Sequence, residues 1–192
     1  MEDIVSDIEA DSHRAAAIVS SIREMTTKTI RRSALTSAED VGQLALRLLK
    51  HDLQFNEISV TSEFQSNLPD VQIDSTELQQ VLLNLIRNAI DAMSSSSPQA
   101  RRLQLKTSFD GKSTVLMSIQ DSGPGISAED QERIFNPFFT TKPGGMGLGL
   151  AISSTLVANH GGKLTLLKSD PDGSIFELAI PVGGQQLGSV GA

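Results

Sequence analysis

Apolar positions in the first 30 residues recur at steps of four and three. They are Ile4, Ile8, Ala15, Ile18, Ile22 and Met25, with Asp11 between Ile8 and Ala15. This spacing predicts one long helix whose apolar seam packs lengthwise against another helix. Because a single helix cannot bury such a seam alone, we expect a partner helix, supplied by a second chain or by sequence that this chain lacks.

The rest of the chain alternates between helical and strand patterns. Helices are predicted at residues 37–53, 76–93 and 148–159, with Ser37 as N-cap of the first and Asp74 or Ser75 as N-cap of the second. Strands are predicted at residues 58–64, 103–109, 114–120, 163–168 and 174–181. The turn residues Asp110-Gly111 and 170–173 join the last four strands into two hairpins.

This order of elements predicts an α+β fold, a two-layer sandwich in which helices cover one face of a mixed, mainly antiparallel sheet. One long helix precedes it. We therefore assign residues 1–35 to a partial helical domain and residues 36–182 to the folded domain. The Gly-rich residues 183–192 are predicted to form a disordered tail.

Composition excludes several classes of function. Of 192 residues, 39% are hydrophobic and 20% are charged, and the net charge of −7 gives no basic surface for a nucleic acid. The absence of cysteine excludes disulfides, thiolate catalysis and Cys-ligated zinc. No run reaches the roughly 20 apolar residues that span a bilayer. We therefore expect no direct membrane contact by this chain and a cytoplasmic location, whether or not a longer parent protein is attached to a membrane.

Polar residues interrupt the apolar helix predicted at 76–93. Asn84, Asn88 and Asp91 lie on one face, since they are spaced at i, i+4 and i+7. An unpaired buried amide costs about 1–3 kcal/mol, so both carboxamides need partners. They can bond to nearby backbone, or their oxygens can bind a Mg²⁺ ion that also carries phosphate oxygens. The sequence leaves both interpretations open.

Asp121 ends a predicted strand and begins the sequence Asp-Ser-Gly-Pro-Gly-Ile. A carboxylate at this point accepts hydrogen bonds, while Gly123 and Gly125 allow the backbone to approach a flat ligand closely. The combination suits the exocyclic amino group of adenine. The same pattern also forms tight turns that bind nothing.

A long loop follows, with two notable segments. Residues 134–142 read IFNPFFTTK and contain three of the seven phenylalanines. They predict either core or a hydrophobic cover that ends in phosphate-compatible donors. Residues 144–150 read GGMGLGL and lead into the helix predicted at 148–159. Glycine amides at a helix N-terminus form an anion site.

In order and spacing, the four segments resemble the N, G1, F and G2 boxes of sensor histidine kinases, whose catalytic domain has the Bergerat ATP-binding fold. The resemblance covers residues 41–182, including His160-Gly161-Gly162 and Gly173-Ser174-Ile175-Phe176. The first 30 residues are similar to the second helix of that family's dimerisation hairpin. The resemblance implies ATP and Mg²⁺ as cofactors.

The resemblance also implies a base-binding role for five residues. Asp121 would bind the adenine amino group. Gly123, Gly125 and Ile126 would shape the base pocket. Ser174 stands where the family often has a Thr that reaches adenine through water.

The remaining motif residues would bind the triphosphate. Asn88 would coordinate Mg²⁺, and Asn84 would contact the phosphates or the water shell of the metal. Thr141 or Lys142 would lie near the γ-phosphate, and we assign catalytic roles to Asn84 and Lys142. The lid and glycine-loop residues expected around the nucleotide are Phe138, Thr140, Thr141, Lys142, Gly145, Met146, Gly147, Leu148, Gly149 and Leu150.

Asp91 departs from the pattern of many relatives, which carry at this position a Lys that reaches a phosphate. A carboxylate cannot neutralise phosphate, so Asp91 must point elsewhere or act through the metal. Lys142 or Arg87 could supply the missing positive charge.

Asn84 distinguishes this chain from the ATP-hydrolysing proteins of the same fold. In those proteins this helix carries the pattern E-x-x-x-N, and its Glu is the general base for the attacking water. An amide has no useful basicity near pH 7, and Glu77 lies two turns away. A histidine kinase needs no such base, because its acceptor imidazole is already nucleophilic when neutral.

The sequence therefore predicts the ATP-binding catalytic part of a two-component sensor histidine kinase. It would transfer the γ-phosphoryl group of ATP to a histidine, for relay to a response regulator receiver domain, and the full-length protein would be a homodimer. His51-Asp52-Leu53 lacks the Pro of the family's acceptor box, and neither His13 nor His160 fits it. We expect the acceptor to be absent from this chain, which then could not autophosphorylate alone. The alternative is a non-catalytic ATP-binding module that regulates a partner through the N-terminal helix.

Overall fold

The computed structural model describes residues 35–94, 96–142 and 145–183. The predicted N-terminal helix and all but the first residue of the predicted tail lie outside the described residues.

The described residues form helices and strands close to the predicted ones. The helices are α1 (Ala38–Leu48), α2 (Lys50–Phe55), α3 (Ser75–Met93), α4 (Ala128–Gln131) and α5 (Gly149–Asn159), with a 3-10 turn at Pro98–Ala100. The strands are β1 (Leu35–Thr36), β2 (Ser59–Phe64), β3 (Val71–Gln72), β4 (Arg102–Phe109), β5 (Thr114–Asp121), β6 (Lys163–Asp170) and β7 (Gly173–Pro181). The prediction of a single helix at 37–53 is wrong in one respect, because the structure has two helices there, divided at Leu49. The sequence analysis also missed β1, β3 and α4.

Five strands form one sheet in the order β2-β4-β5-β7-β6. Only β2 and β4 are parallel; the other neighbours in this sheet are antiparallel. The predicted mixed, mainly antiparallel sheet is thus confirmed. A second sheet, formed by β1 and β3 alone, lies outside it.

Alternation along the strands gives the large sheet one buried face. In β5, for example, Val115, Met117 and Ile119 are buried between more exposed neighbours. Helix α1 packs on β4, α3 on β5 and α5 on β6. The helices therefore cover this apolar face and leave the other to solvent, as predicted.

Helix α3 is the central element of the helical layer. Its N-cap is Asp74, whose carboxylate accepts the backbone N–H groups of Thr76 and Glu77 at 2.8 and 3.3 Å. Its apolar side is buried against the sheet and the neighbouring helices, through Leu78, Val81, Leu82, Leu85, Ile86, Ala89, Ile90 and Met93. Burial on one side leaves the Asn84–Asp91 stripe at the side of α3 that faces the loops.

A hydrogen bond between two side chains ties α3 to α5. His160 Nε2, just after the end of α5, lies 2.5 Å from Glu77 Oε2 in the first turn of α3. The middle of α3 contacts the start of α5, since the Asn84 amide lies 3.0 Å from the Ser153 hydroxyl. The two helices are therefore antiparallel, and their contacts fix the position of the α5 N-terminus.

Candidate functional site

Asp121, the last residue of β5, is a buried carboxylate with only 5% of its surface exposed. Its Oδ1 accepts the backbone N–H of Gly123 at 2.8 Å. Burial raises the pKa of Asp121, and hydrogen bonds from the backbone of Gly123 and Ser174 offset part of that rise. A buried carboxylate with acceptor capacity left over suits a ligand that donates a hydrogen bond.

The loop after Asp121 lies directly against the turn between β6 and β7. Gly125 has a φ of +76°, and a Cβ added there would lie 2.0 Å from the carbonyl oxygen of Asp170. Because that atom is backbone, only glycine fits here. The next residue, Ile126, donates its backbone N–H to Ser169 Oγ at 2.7 Å.

Ser174 lies next to Asp121 in the sheet. The two residues are direct register partners on the neighbouring strands β7 and β5. Its hydroxyl lies 2.8 Å from that of Ser169. The structure thus brings together the five residues predicted for the base: Asp121, Gly123, Gly125, Ile126 and Ser174. It adds Ser169, which the sequence analysis missed because no local pattern marks its contact with Ile126, 43 residues earlier.

Asn84 contacts the N-terminus of α5. Its Nδ2 donates to Ser153 Oγ, and a Cβ added to Gly149 would lie 2.3 Å from its Oδ1. The glycine therefore allows the carboxamide to lie against the first turn of α5. Ser153 is 2% exposed, and a serine among the apolar residues of α5 was the sequence signal that could have revealed it.

Helix α5 begins without a side-chain cap. Its N-cap residue is Leu148, which makes no capping hydrogen bond and is buried, with 3% exposed. A helix that starts in this way leaves first-turn N–H groups, and the positive end of its dipole, available to an anion. The start of α5 beside Asn84 is therefore suited to phosphate.

Lys142 binds Asn88 and Asp91, which share the polar stripe of α3 with Asn84. Its Nζ lies 2.7 Å from Asp91 Oδ2 and 3.2 Å from Asn88 Oδ1. One cation thus occupies the point on which both oxygens converge. The sequence analysis offered Lys142 or Arg87 as the source of the positive charge that Asp91 does not supply. In the structure Lys142 forms an ion pair with Asp91.

The loop from residue 133 to 147 is anchored by aromatic contacts at its start. Phe135 packs edge-on against Phe176 of β7, with 6.5 Å between ring centroids. Arg133 lies 4.6 Å from the centroid of the Phe139 ring. Within the phenylalanine-rich segment, it is Phe135 that packs against the sheet.

Phe138 is the exception among these aromatic residues. It is 69% exposed and has a φ of +68°, unusual for a side chain of its size. Its backbone N–H donates to the carbonyl of Gly147 at 2.9 Å. This hydrogen bond joins Phe138 to the end of the loop that leads into α5.

Lys142 makes hydrogen bonds with loop residues on either side of it in the sequence. Thr140 Oγ1 accepts the backbone N–H of Lys142 at 3.1 Å, and Gly145 donates its N–H to the Lys142 carbonyl at 3.1 Å. Thr141 and Gly145 are exposed, whereas Met146 and Leu150 are half-buried near the start of α5. Among the predicted loop residues, Lys142 contacts α3 through Asn88 and Asp91.

Two negative findings concern the described residues. Within residues 35–94, 96–142 and 145–183, no cluster of three or more His, Cys, Asp or Glu side chains could hold a metal ion. Across the same ranges, no helix is both long and apolar enough to cross a membrane.

Residues 73–184 match the model of the histidine kinase-, DNA gyrase B- and HSP90-like ATPase family. The chain belongs to this family. The match includes α3, Asp121 and the glycine loop, and it establishes an ATP-binding domain.

Relatives place the chain among the histidine kinases. The sensor histidine kinase ZraS of Escherichia coli (strain K12) is 37% identical over 177 residues, which are 91% of this chain and 36% of ZraS. The nucleotide-free catalytic domain of histidine kinase ThkA is 30% identical, with a TM-score of 0.69, covering 78% of this chain and 95% of that domain. ThkA has also been solved in complex with the response regulator protein TrrA. In that structure ThkA is 27% identical to this chain with a TM-score of 0.75, and the match covers 93% of this chain and 50% of ThkA. The predicted family and fold are confirmed.

The ATPase domain of this chain is therefore that of a histidine kinase. The chain spans about a third of the length of the sensor kinases it matches.

Proposed function

We propose that this domain binds Mg·ATP in the space bounded by Asp121, α3 and the start of α5, and transfers the γ-phosphoryl group to a histidine on a dimerisation hairpin. The observation that carries the proposal is that α3 lies against both a buried carboxylate's loop, with Ala92 next to Gly123, and an uncapped helix N-terminus, with Asn84 next to Gly149. The carboxylate suits a base that donates a hydrogen bond, and the helix N-terminus suits phosphates.

The adenine would lie at the Asp121 end. There Asp121 accepts from the exocyclic amino group, and the loop of Gly123, Gly125 and Ile126 forms the wall of the pocket. Ser174 supplies a hydroxyl on the neighbouring strand. This proposal follows from the position of the carboxylate, because an amino group is the part of adenine that it can recognise.

The triphosphate would lie between the Asn84 face of α3 and the backbone amides of residues 145–150. The oxygens that converge on Lys142 Nζ are the kind that Mg²⁺ takes, and a phosphate-bound ion needs few protein ligands. Asn88 would hold the metal, with Asp91 beside it. The metal would neutralise charge on the phosphates.

A kinase fits the arrangement better than an autonomous hydrolase. Asn84 cannot act as a general base, since its amide has no useful basicity near pH 7. The nearest acidic residue earlier on α3 is Glu77, whose carboxylate is bound by His160 at 2.5 Å. Catalysis would then come from positioning and from charge stabilisation by groups such as Lys142, which would exchange Asp91 for the γ-phosphate.

The phosphorylated histidine would pass its phosphoryl group to the receiver domain of a response regulator. The hairpin would be completed by a further dimerisation helix or by a second protomer, as in a homodimeric sensor kinase. This chemistry would take place in the cytoplasm, where ATP is supplied. ThkA, to which 93% of this chain is similar, has been solved in complex with a response regulator protein.

The metal role is tested with Asn88→Ala. Because the variant removes one oxygen ligand, we expect ATP affinity in Mg²⁺ to fall about 5-fold, as for the loss of about 1 kcal/mol. Affinity in excess chelator should change less than about 2-fold. Calorimetric titrations with and without Mg²⁺ measure both values.

The control for this experiment is Asn159→Ala, at the exposed end of α5. It should leave both affinities unchanged. Equal losses with and without Mg²⁺ in Asn88→Ala would argue against a metal ligand at this position.

A further inference from the structure

The hydroxyl of Ser174 has one hydrogen-bonding partner among the described residues, Ser169 Oγ at 2.8 Å. Ser174 is only 4% exposed. It lies beside Asp121, its direct partner on β5. A buried hydroxyl with a single partner has hydrogen-bonding capacity left for a ligand next to that carboxylate.

Ser169 determines what Ser174 can offer. The backbone N–H of Ile126 donates to Ser169 Oγ at 2.7 Å, so this oxygen already accepts one hydrogen bond. A hydroxyl that accepts a hydrogen bond becomes a better donor, because linked hydrogen bonds polarise one another. The favoured chain therefore runs from the Ile126 N–H to Ser169 Oγ, and from the Ser169 hydroxyl to Ser174 Oγ. The proton of Ser174 is then left to point at the ligand.

We propose that Ser169 is a positioning residue for base selection: it directs the Ser174 hydroxyl to donate a hydrogen bond to the N1 position of adenine, directly or through one water. This inference rests on the proposed function, because it concerns the same nucleotide site. It assigns Ser169 no contact with the nucleotide.

The consequence is a site that presents two opposite polarities to the base. The Asp121 carboxylate accepts from the 6-amino group, while Ser174 donates to N1. Adenine offers a donor and an acceptor in this order. Guanine offers the reverse, an O6 acceptor and an N1–H donor, so both contacts would be lost together.

The remaining contacts keep this network in place. Gln131 of α4 donates its Nε2 to the Ile126 carbonyl at 2.8 Å. The Ile126 N–H is thereby held towards Ser169 by a side chain from outside the loop. The orientation of the Ser174 proton thus depends on groups that never touch the ligand.

The test compares three nucleotides in Mg²⁺ by calorimetry. They are ATP, the 1-deaza analogue with carbon in place of N1, and the purine riboside triphosphate that lacks the 6-amino group. For the wild-type chain we expect the 1-deaza analogue to bind about 5-fold more weakly than ATP, the effect of one ordinary hydrogen bond. In Ser169→Ala this ratio should fall below about 2, because ATP loses affinity and the 1-deaza analogue does not.

Two further variants separate orientation from simple damage. Ser174→Ala should also abolish the preference for ATP over the 1-deaza analogue, and Ser169→Thr, which keeps a hydroxyl, should retain it. The purine riboside triphosphate lacks the amino group that Asp121 would accept. It should therefore bind more weakly than ATP in Ser169→Ala, Ser174→Ala and Ser169→Thr alike. Ser118→Ala, on the opposite face of β5, is the control and should behave as the wild type.

Several outcomes would overturn the assignment. One is an equal loss of ATP and 1-deaza binding in Ser169→Ala, which would mean general disruption of the pocket. A preference for ATP that survives in Ser174→Ala would show that another group recognises N1. A wild-type chain that binds no ATP would instead overturn the proposed function itself.

Discussion

Asp121→Asn is expected to lower ATP affinity by roughly 10- to 150-fold, the equivalent of about 1.5–3 kcal/mol for a hydrogen bond to a charged group. The asparagine oxygen can still accept the Gly123 N–H, as the carboxylate does at 2.8 Å. Its amide nitrogen then faces the amino group of adenine, and two donors oppose each other. Calorimetric titration with Mg·ATP measures the loss.

The same substitution should not weaken the nucleotide-free fold. Burial raises the pKa of Asp121, so the folded chain binds this proton more tightly than the unfolded chain does. The charged carboxylate therefore opposes folding above the raised pKa, and this penalty fades as pH falls through it. We expect urea unfolding at neutral pH to show Asp121→Asn at least as stable as the wild type. A large loss of stability would mean that lost affinity reflects misfolding.

Binding should also depend on pH in the wild type. Because the pKa of Asp121 is raised, its carboxylate is protonated at a higher pH than an ordinary aspartate. ATP affinity should therefore fall as pH is lowered through that range, as the base loses its acceptor. ATP titrations of Asp121→Asn over the same pH range should not show this fall in affinity.

Gly149→Ala is expected to reduce ATP affinity about 10- to 30-fold, or about 1.4–2 kcal/mol. A Cβ at this position would lie 2.3 Å from Asn84 Oδ1, which is closer than two such atoms can approach. The atoms in its way belong to a side chain, so the carboxamide can turn aside at little cost to folding. Asn84 would then lose its place against the start of α5, where we propose that the phosphates bind.

A double-mutant cycle tests this explanation. If Gly149→Ala acts by displacing Asn84, its effect should largely vanish in an Asn84→Ala background, where the obstructed group is gone. Thermal unfolding of the apo variants should differ little from that of the wild type. Additive losses of affinity in the double variant would show that the alanine disturbs the loop independently of Asn84.

Local signals were sufficient for most of the elements. Asp74 was expected as a possible cap of α3, and its carboxylate does accept two backbone N–H groups there. The Asp110-Gly111 turn correctly marked the hairpin of β4 and β5. These features depend on residues only a few positions apart, so the sequence pattern contains them.

Features that depend on distant contacts were not predictable. The short β1–β3 sheet pairs two-residue strands that have no periodicity to recognise. The break at Leu49 falls within a continuous helical pattern, so local propensity does not mark it. The parallel pairing of β2 with β4 joins strands separated by the whole of α3.

The same division applies to the candidate site. Asn84 and Asn88 were identifiable because amides in an apolar helix are costly unless they have partners, and Asp121 because a strand end and two glycines mark it. The ion pair between Lys142 and Asp91 spans 51 residues, and the sequence offered Arg87 as an equal candidate for the missing charge. Ser169 carried no signal, since its importance depends on the contacts it makes with Ile126 and Ser174.

The central claim is that this domain transfers phosphate to a histidine. It is tested most directly by mixing the chain with γ-labelled ATP, Mg²⁺ and a separate dimerisation hairpin that carries an acceptor histidine, taken from a similar sensor kinase. We predict label on the hairpin that is lost in acid and stable in base, as expected for phosphohistidine, and no label when the acceptor is replaced by Gln. If the chain binds ATP in the same mixture but the hairpin stays unlabelled, the domain is a nucleotide-binding module and the kinase proposal is contradicted.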